Sequence, residues 1–96
     1  MNLRLVQFNL GPGTRAKAEA IANRVMPLIR AQPGCDRSVF FGDEESGDYG
    51  IVVLWVSQRD AAAAAGVVSP VLSPALKDAR ATGDNRRLFQ VYEPTP

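Results

Sequence analysis

Apolar positions alternate along some stretches of the chain and recur every three or four residues along others. "LRLVQFN", Leu3 to Asn9, places Leu3 and Leu5 on one face of an extended strand and Val6 and Phe8 on the other. "LGPG" interrupts it, and Thr14 is the expected N-cap of a helix. That helix carries Ala18, Ile21, Ala22, Val25, Leu28 and Ile29 at helical spacing. Pro27 removes a backbone donor inside the stripe, which predicts a kink or a tightened final turn within a single helix. "QPG", Gln32 to Gly34, ends it. "CDRSVFFG" then predicts a second strand with Phe40 and Phe41 on opposite faces. "DEESGD", Asp43 to Asp48, is a hairpin connection to a third strand, "YGIVVLWVS".

Within the third strand no polar side chain falls between Gly50 and Ser57. Ile51, Val53 and Trp55 share one face, and Val52, Leu54 and Val56 share the other. Such a run belongs to a strand buried on both sides. Ser57 with Asp60 resembles a capping box and opens an Ala-rich helix at "RDAAAAAG". Gly66, Ser69-Pro70 and Pro74 predict two helical pieces with a bend, ending near "ATGDN". "RRLFQVYEP", Arg86 to Pro94, reads as the fourth strand.

The order β-α-β-β-α-β predicts an α+β, ferredoxin-like fold. Its four-stranded antiparallel sheet has the first and third strands at the centre and both helices on one face. The 96 residues read as a single domain, 1–96. One layer of helices then leaves the second face of the sheet to be covered. By parity Val52, Leu54 and Val56 lie there, and a homodimer through that face is the expected solution.

Composition narrows the chemistry. There is no histidine and only one cysteine, Cys35, which removes His-based triads, thiolate metal clusters and intrachain disulfides. Cys35 is expected to be a small apolar core residue. The net charge of +1 gives no electrostatic case for nucleic acid or an anionic membrane. An RNA-recognition domain shares this element order, but the third strand lacks that domain's aromatic motif. The acidic hairpin lacks calcium-loop spacing, and "GPG" lacks the lysine of a phosphate loop. The polar N-terminal strand has no signal-peptide core, so the reading is a mature cytoplasmic protein without membrane segments.

"QPGC" closing the first helix and "LWVSQRDAAAAAG…SP" running from the third strand into the second helix resemble antibiotic biosynthesis monooxygenase domains. The resemblance covers nearly the whole chain. It implies a dimeric α/β barrel in which two sheets pack face to face, with substrate lying between sheet and helices in each subunit. A third-strand tryptophan recurs in the active sites of that family, and Trp55 matches it. A first-strand amide recurs in its haem-degrading members; Asn9 or Gln7 is the nearest candidate. Haem ligation through a second-helix histidine is excluded, because the chain has none. The aromatic oxygenases carry an asparagine just before the tryptophan, where this chain has Ile51 or Val53.

Other candidates come from the residues themselves. Trp55 suits either a core indole or the wall of a ligand pocket. Tyr49 and Tyr92 could donate hydrogen bonds to a phenol or quinone. Arg4 or Arg37 could hold an anionic substrate group, if it faces the pocket. Two functions follow. One is a cofactor-independent monooxygenase acting on a small phenol-, quinone- or anthrone-type molecule, with hydrogen-bond donors stabilising the substrate anion. The other is a non-catalytic homodimeric ligand-binding or structural module of the same fold.

Overall fold

The computed structural model describes residues 1–94. Its elements are β1 (Asn2–Asn9), α1 (Arg15–Arg30), β2 (Cys35–Asp43), β3 (Asp48–Trp55), α2 (Gln58–Asp78) and β4 (Thr82–Gln90). The strands form one antiparallel sheet in the order β2-β3-β1-β4, so the first and third strands are central, as the apolar character of β3 requires.

Strand parity sorts the side chains as the alternation predicts. Val6 and Phe8 of β1 and Tyr49, Ile51, Val53 and Trp55 of β3 are buried beneath the helices. They meet Ala18, Ile21, Val25 and Ile29 from α1 and Ala61, Ala64, Val68 and Leu72 from α2 in one core. The opposite face carries Leu3, Leu5, Val39, Phe41, Val52, Leu54 and Phe89, of which Val39 and Phe41 are 43% and 38% exposed. Val56 lies one residue past the end of β3 and is exposed. Two aromatic rings lie over cross-strand glycines, Phe41 over Gly50 and Tyr49 against Gly42, where a Cβ would collide with them.

Three local expectations differ from what forms. Thr14 precedes α1 but makes no capping bond; its hydroxyl donates instead to the Gly11 carbonyl at 2.6 Å. α2 is one helix of 21 residues rather than two pieces. Pro70 and Pro74 both lie on its exposed side, where water can serve the carbonyls of Gly66 and Pro70 that lose a donor. A break would instead unseat Val68, Leu72 and Leu76, each worth about 2 kcal/mol of burial.

β4 starts four residues before Arg86 and ends at Gln90, so Tyr92 lies beyond it. Arg80, in the left-handed region at φ 58°, turns the chain out of α2. The Arg80 amide bonds to the Lys77 carbonyl at 3.0 Å and the Ala81 amide to the Leu76 carbonyl at 2.9 Å. This is a Schellman ending with arginine where glycine is usual. Pro27, by contrast, sits within an unbroken α1 that runs to Arg30, and Ser57 caps α2 by accepting the Asp60 amide at 3.1 Å.

Candidate functional site

The helix-facing side of the sheet is a grid of cross-strand neighbours. Val53, Arg4 and Leu88 form one row across β3, β1 and β4. Ile51, Val6 and Arg86 flank that row on one side, and Trp55, Asn2 and Gln90 on the other. Above this floor runs the alanine-rich half of α2. Alanine reaches only one carbon from the backbone, so Ala61, Ala64 and Ala65 leave a gap that larger side chains would fill. The result is a cavity of about 210 Å³ between sheet and α2. Its walls are apolar except for Arg4, Ser69 and Arg86, and Trp55 forms one side.

Arg86 is the residue that the reading of the sequence missed. Its guanidinium donates from Nε and Nη2 to the two carboxylate oxygens of Asp84, at 3.1 and 3.0 Å. It also donates from Nη1 to Ser69 at 3.3 Å and from Nη2 to Ser73 at 3.0 Å. It thereby ties β4 to α2 at the edge of the cavity. A signal existed: in "RRLF" strand alternation forces one of two adjacent arginines onto the helix-facing side.

Among the residues singled out from sequence, Trp55 and Arg4 come together at this cavity. The others lie elsewhere. Gln7 and Arg37 belong to the face opposite the helices, with Gln7 beside Gly50 and Asn85 and Arg37 beside Leu54. Asn9 is occupied at the far end of β1. Its amide nitrogen donates to Asp48 at 2.8 Å and to the Ser46 carbonyl at 3.2 Å, while its oxygen accepts the Gly11 amide at 2.8 Å. These bonds hold the β2–β3 hairpin against the turn after β1.

Tyr49 shares the helix-facing side with Trp55 but stands six residues before it, roughly 20 Å along the strand. It stacks with Phe8 at 6.4 Å and lies 6.3 Å from Phe40, and its buried hydroxyl has no hydrogen-bond partner among the described residues. Tyr92 is 79% exposed past the end of β4. Burial pushes the Cys35 thiol above its ordinary pKa, against the nearby Arg30 charge, so it is a poor nucleophile.

Among the described residues no carboxylate, histidine or thiol lines the cavity. Among the described residues no group of three or more His, Cys, Asp or Glu side chains could hold a metal ion. Trp55 is 3% exposed, so it offers the cavity an edge of the indole rather than an open face, and the polar chemistry on offer is hydrogen-bond donation from Arg4, Ser69 and Arg86. These groups can stabilise a negative charge; none is placed to remove a proton as a conventional base.

Fold and cavity together define a ferredoxin-like domain with a lateral apolar pocket under its second helix. No protein-family model and no curated protein matches the chain. Solved structures do. A Deinococcus radiodurans protein provisionally designated an antibiotic biosynthesis monooxygenase superimposes with a TM-score of 0.84 at 15% identity, over 100% of this chain and 97% of the other. SnoaB, a cofactor-independent oxygenase from Streptomyces nogalater, matches with a TM-score of 0.72 at 19% identity, covering 99% of this chain and 96% of its own. The ActVA-Orf6 monooxygenase of Streptomyces coelicolor, solved with nanaomycin D, gives 0.71 at 20% identity, over 99% and 91%. The chain thus has the fold of the antibiotic biosynthesis monooxygenases along its whole described length.

Proposed function

We propose that this protein is a cofactor-independent oxygenase of the antibiotic biosynthesis monooxygenase type, acting on a small phenol-, quinone- or anthrone-type aromatic molecule. The observation that carries this reading is the Trp55-walled cavity, whose polar lining side chains among the described residues, Arg4, Ser69 and Arg86, can all donate hydrogen bonds. Likeness in fold to a cofactor-independent oxygenase supports it. On an anthrone such a reaction turns a CH2 group into C=O, and on a phenol it turns a ring C–H and the phenolic O–H into the two carbonyls of a quinone; in both the second atom of dioxygen leaves as water. All the electrons come from the substrate. The protein's task is to desolvate the ring system and hold its conjugate base, which the donors around Trp55 suit.

A second copy completes the molecule in this reading. The apolar sheet face around Leu54 packs against the same face of a partner, leaving the cavities on the outside. The lack of any proton-removing group at the cavity favours one other reading, a homodimeric binding module without turnover. Oxygen uptake with a panel of anthrones, hydroquinones and phenols separates the two. Uptake is expected without added metal, flavin or haem, and Trp55→Phe is expected to change its rate while leaving the fold intact. Uptake abolished by a chelator and restored by iron would refute the cofactor-free mechanism. Ligand binding with no uptake for any compound would leave the binding module.

A further inference from the structure

We infer that the cavity selects an anionic aromatic molecule of one or two rings, with Arg4 holding its carboxylate or phenolate. The inference deepens the proposed function, narrowing its substrates to one- and two-ring phenols and quinones and leaving out three-ring anthrones, and it rests on the placing of the ligand beside Trp55.

The charges around the cavity carry the argument. Among the described residues no acidic side chain lines it. Arg86 is neutralised by Asp84, and two of its three remaining donors go to Ser69 and Ser73. Arg4 has no such company: among the described residues it makes no side-chain hydrogen bond and no ion pair. It nevertheless stands in the middle of the floor, between Val53 and Leu88. It is only half-buried, so water can serve its charge while the cavity is empty. When an apolar ring displaces that water, the guanidinium needs a new partner, and an anionic group on the same ligand supplies it.

Geometry places that anion. Trp55 and Arg86 are both diagonal neighbours of Arg4 on this face, each roughly 7–8 Å from it across the strands. Trp55 is 3% exposed, so a flat molecule would meet the edge of the indole rather than lie over its face, and from there a substituent reaches Arg4, the one cation at the cavity without an acidic partner among the described residues. Arginine's planar fork matches the two oxygens of a carboxylate and strengthens in a water-poor setting.

Size sets the ring count. A dry protein cavity of about 150 Å³ takes benzene; this one, at about 210 Å³, suits one ring or two fused rings. A phenol held here would be favoured as its phenolate, the electron-rich form that reaction with dioxygen requires.

Calorimetric titration of the whole protein with 2-naphthoate and with 2-naphthamide, equal in shape and different in charge, is the test. The naphthoate is expected to bind at least tenfold more tightly. Arg4→Met, which keeps the apolar stem, is expected to erase that preference while leaving naphthamide affinity within about twofold, and Arg4→Lys to recover part of it. A spectral titration of bound 2-naphthol is expected to show ionisation at lower pH than for the free compound. Equal binding of the two probes by the wild-type protein would overturn the inference and leave the cavity as a neutral aromatic site. A preference that survives in a folded Arg4→Met variant would also overturn it. If neither probe binds, the cavity is not the ligand site and the functional reading falls with it.

Discussion

Gly34, in the loop between α1 and β2, shows how one position can carry a constraint that composition hides. Its φ of +80° lies in the left-handed region, and an added Cβ would collide with the Asp60 carboxylate. Its carbonyl accepts the Val56 amide at 2.8 Å, and Asp60 also accepts the Ser57 hydroxyl at 3.0 Å. Gly34 therefore lets the α1–β2 loop press against the first turn of α2, the turn that leads into the cavity's alanine ceiling. Gly34→Ala is expected to cost about 1–3 kcal/mol in urea unfolding, from backbone strain together with displacement of Asp60. A loss under about 0.5 kcal/mol, the scale of a neutral surface change, would show that the loop relaxes freely. At this scale the sequence was informative where a side chain's chemistry is intrinsic, as with the indole of Trp55. It said less of Arg86: alternation in "RRLF" turns one arginine toward the helices, but its significance depends on Ser69 and Ser73 arriving from α2.

The same division appears in whole elements. Strand faces followed from alternation alone, because a one-residue slip would turn every apolar side chain to the wrong side. Element ends did not follow. α2 stops at Asp78 because Arg80 adopts a left-handed conformation that Leu76 and Ala81 stabilise through a hydrogen bond and a shared place in the core. No glycine announces that ending, so the helix read longer and β4 later than they are. The tension is testable. Arg80→Gly removes the strain at φ 58° and is expected to raise stability by roughly 0.5–1 kcal/mol, net of the greater freedom of glycine in the unfolded chain. A fall in the thermal midpoint would mean that the arginine side chain contributes more at the surface than its backbone strain costs.

For the molecule as a whole, the uncovered sheet face dominates the energetics. Leu3, Leu5, Val39, Phe41, Val52, Leu54 and Phe89 share it, and the Arg87 guanidinium lies over Phe89, 4.5 Å from the ring centre. Each aliphatic group left in water forgoes about 2 kcal/mol. Val39 and Phe41 are exposed while Leu3, Leu5, Val52 and Leu54 are half-buried, so the face forgoes only part of that value at each position, still an appreciable share of a small domain's stability of about 5–15 kcal/mol. Under the proposed dimer this face is self-complementary across a two-fold axis. Light scattering is expected to give twice the chain mass at micromolar concentration. Leu54→Lys, which sets two like charges near one dry interface, is expected to give monomer or insoluble protein. A stable wild-type monomer would refute the dimer and leave the apolar face without a role.

The sequence by itself determined the β-α-β-β-α-β order, the central place of β1 and β3 and which face of each strand turns to the helices. Each of these follows from periodicity, a property of neighbours along the chain. It also excluded histidine chemistry outright. It did not settle the full core, in which Leu10, Met26 and Tyr49 are buried and Ala22 and Leu28 only half-buried. Tertiary structure decided which candidates meet. Trp55 and Arg4 come from strands paired through Asn2↔Trp55 and Arg4↔Val53, and that register brings them to one cavity. Tyr49 has the same parity as Trp55 yet lies at the other end of the strand, while parity alone turns Gln7 and Arg37 to the other face. A binding site is a coincidence of side chains distant in sequence, and register, helix placement and the room left by alanines settle it only when the chain has folded.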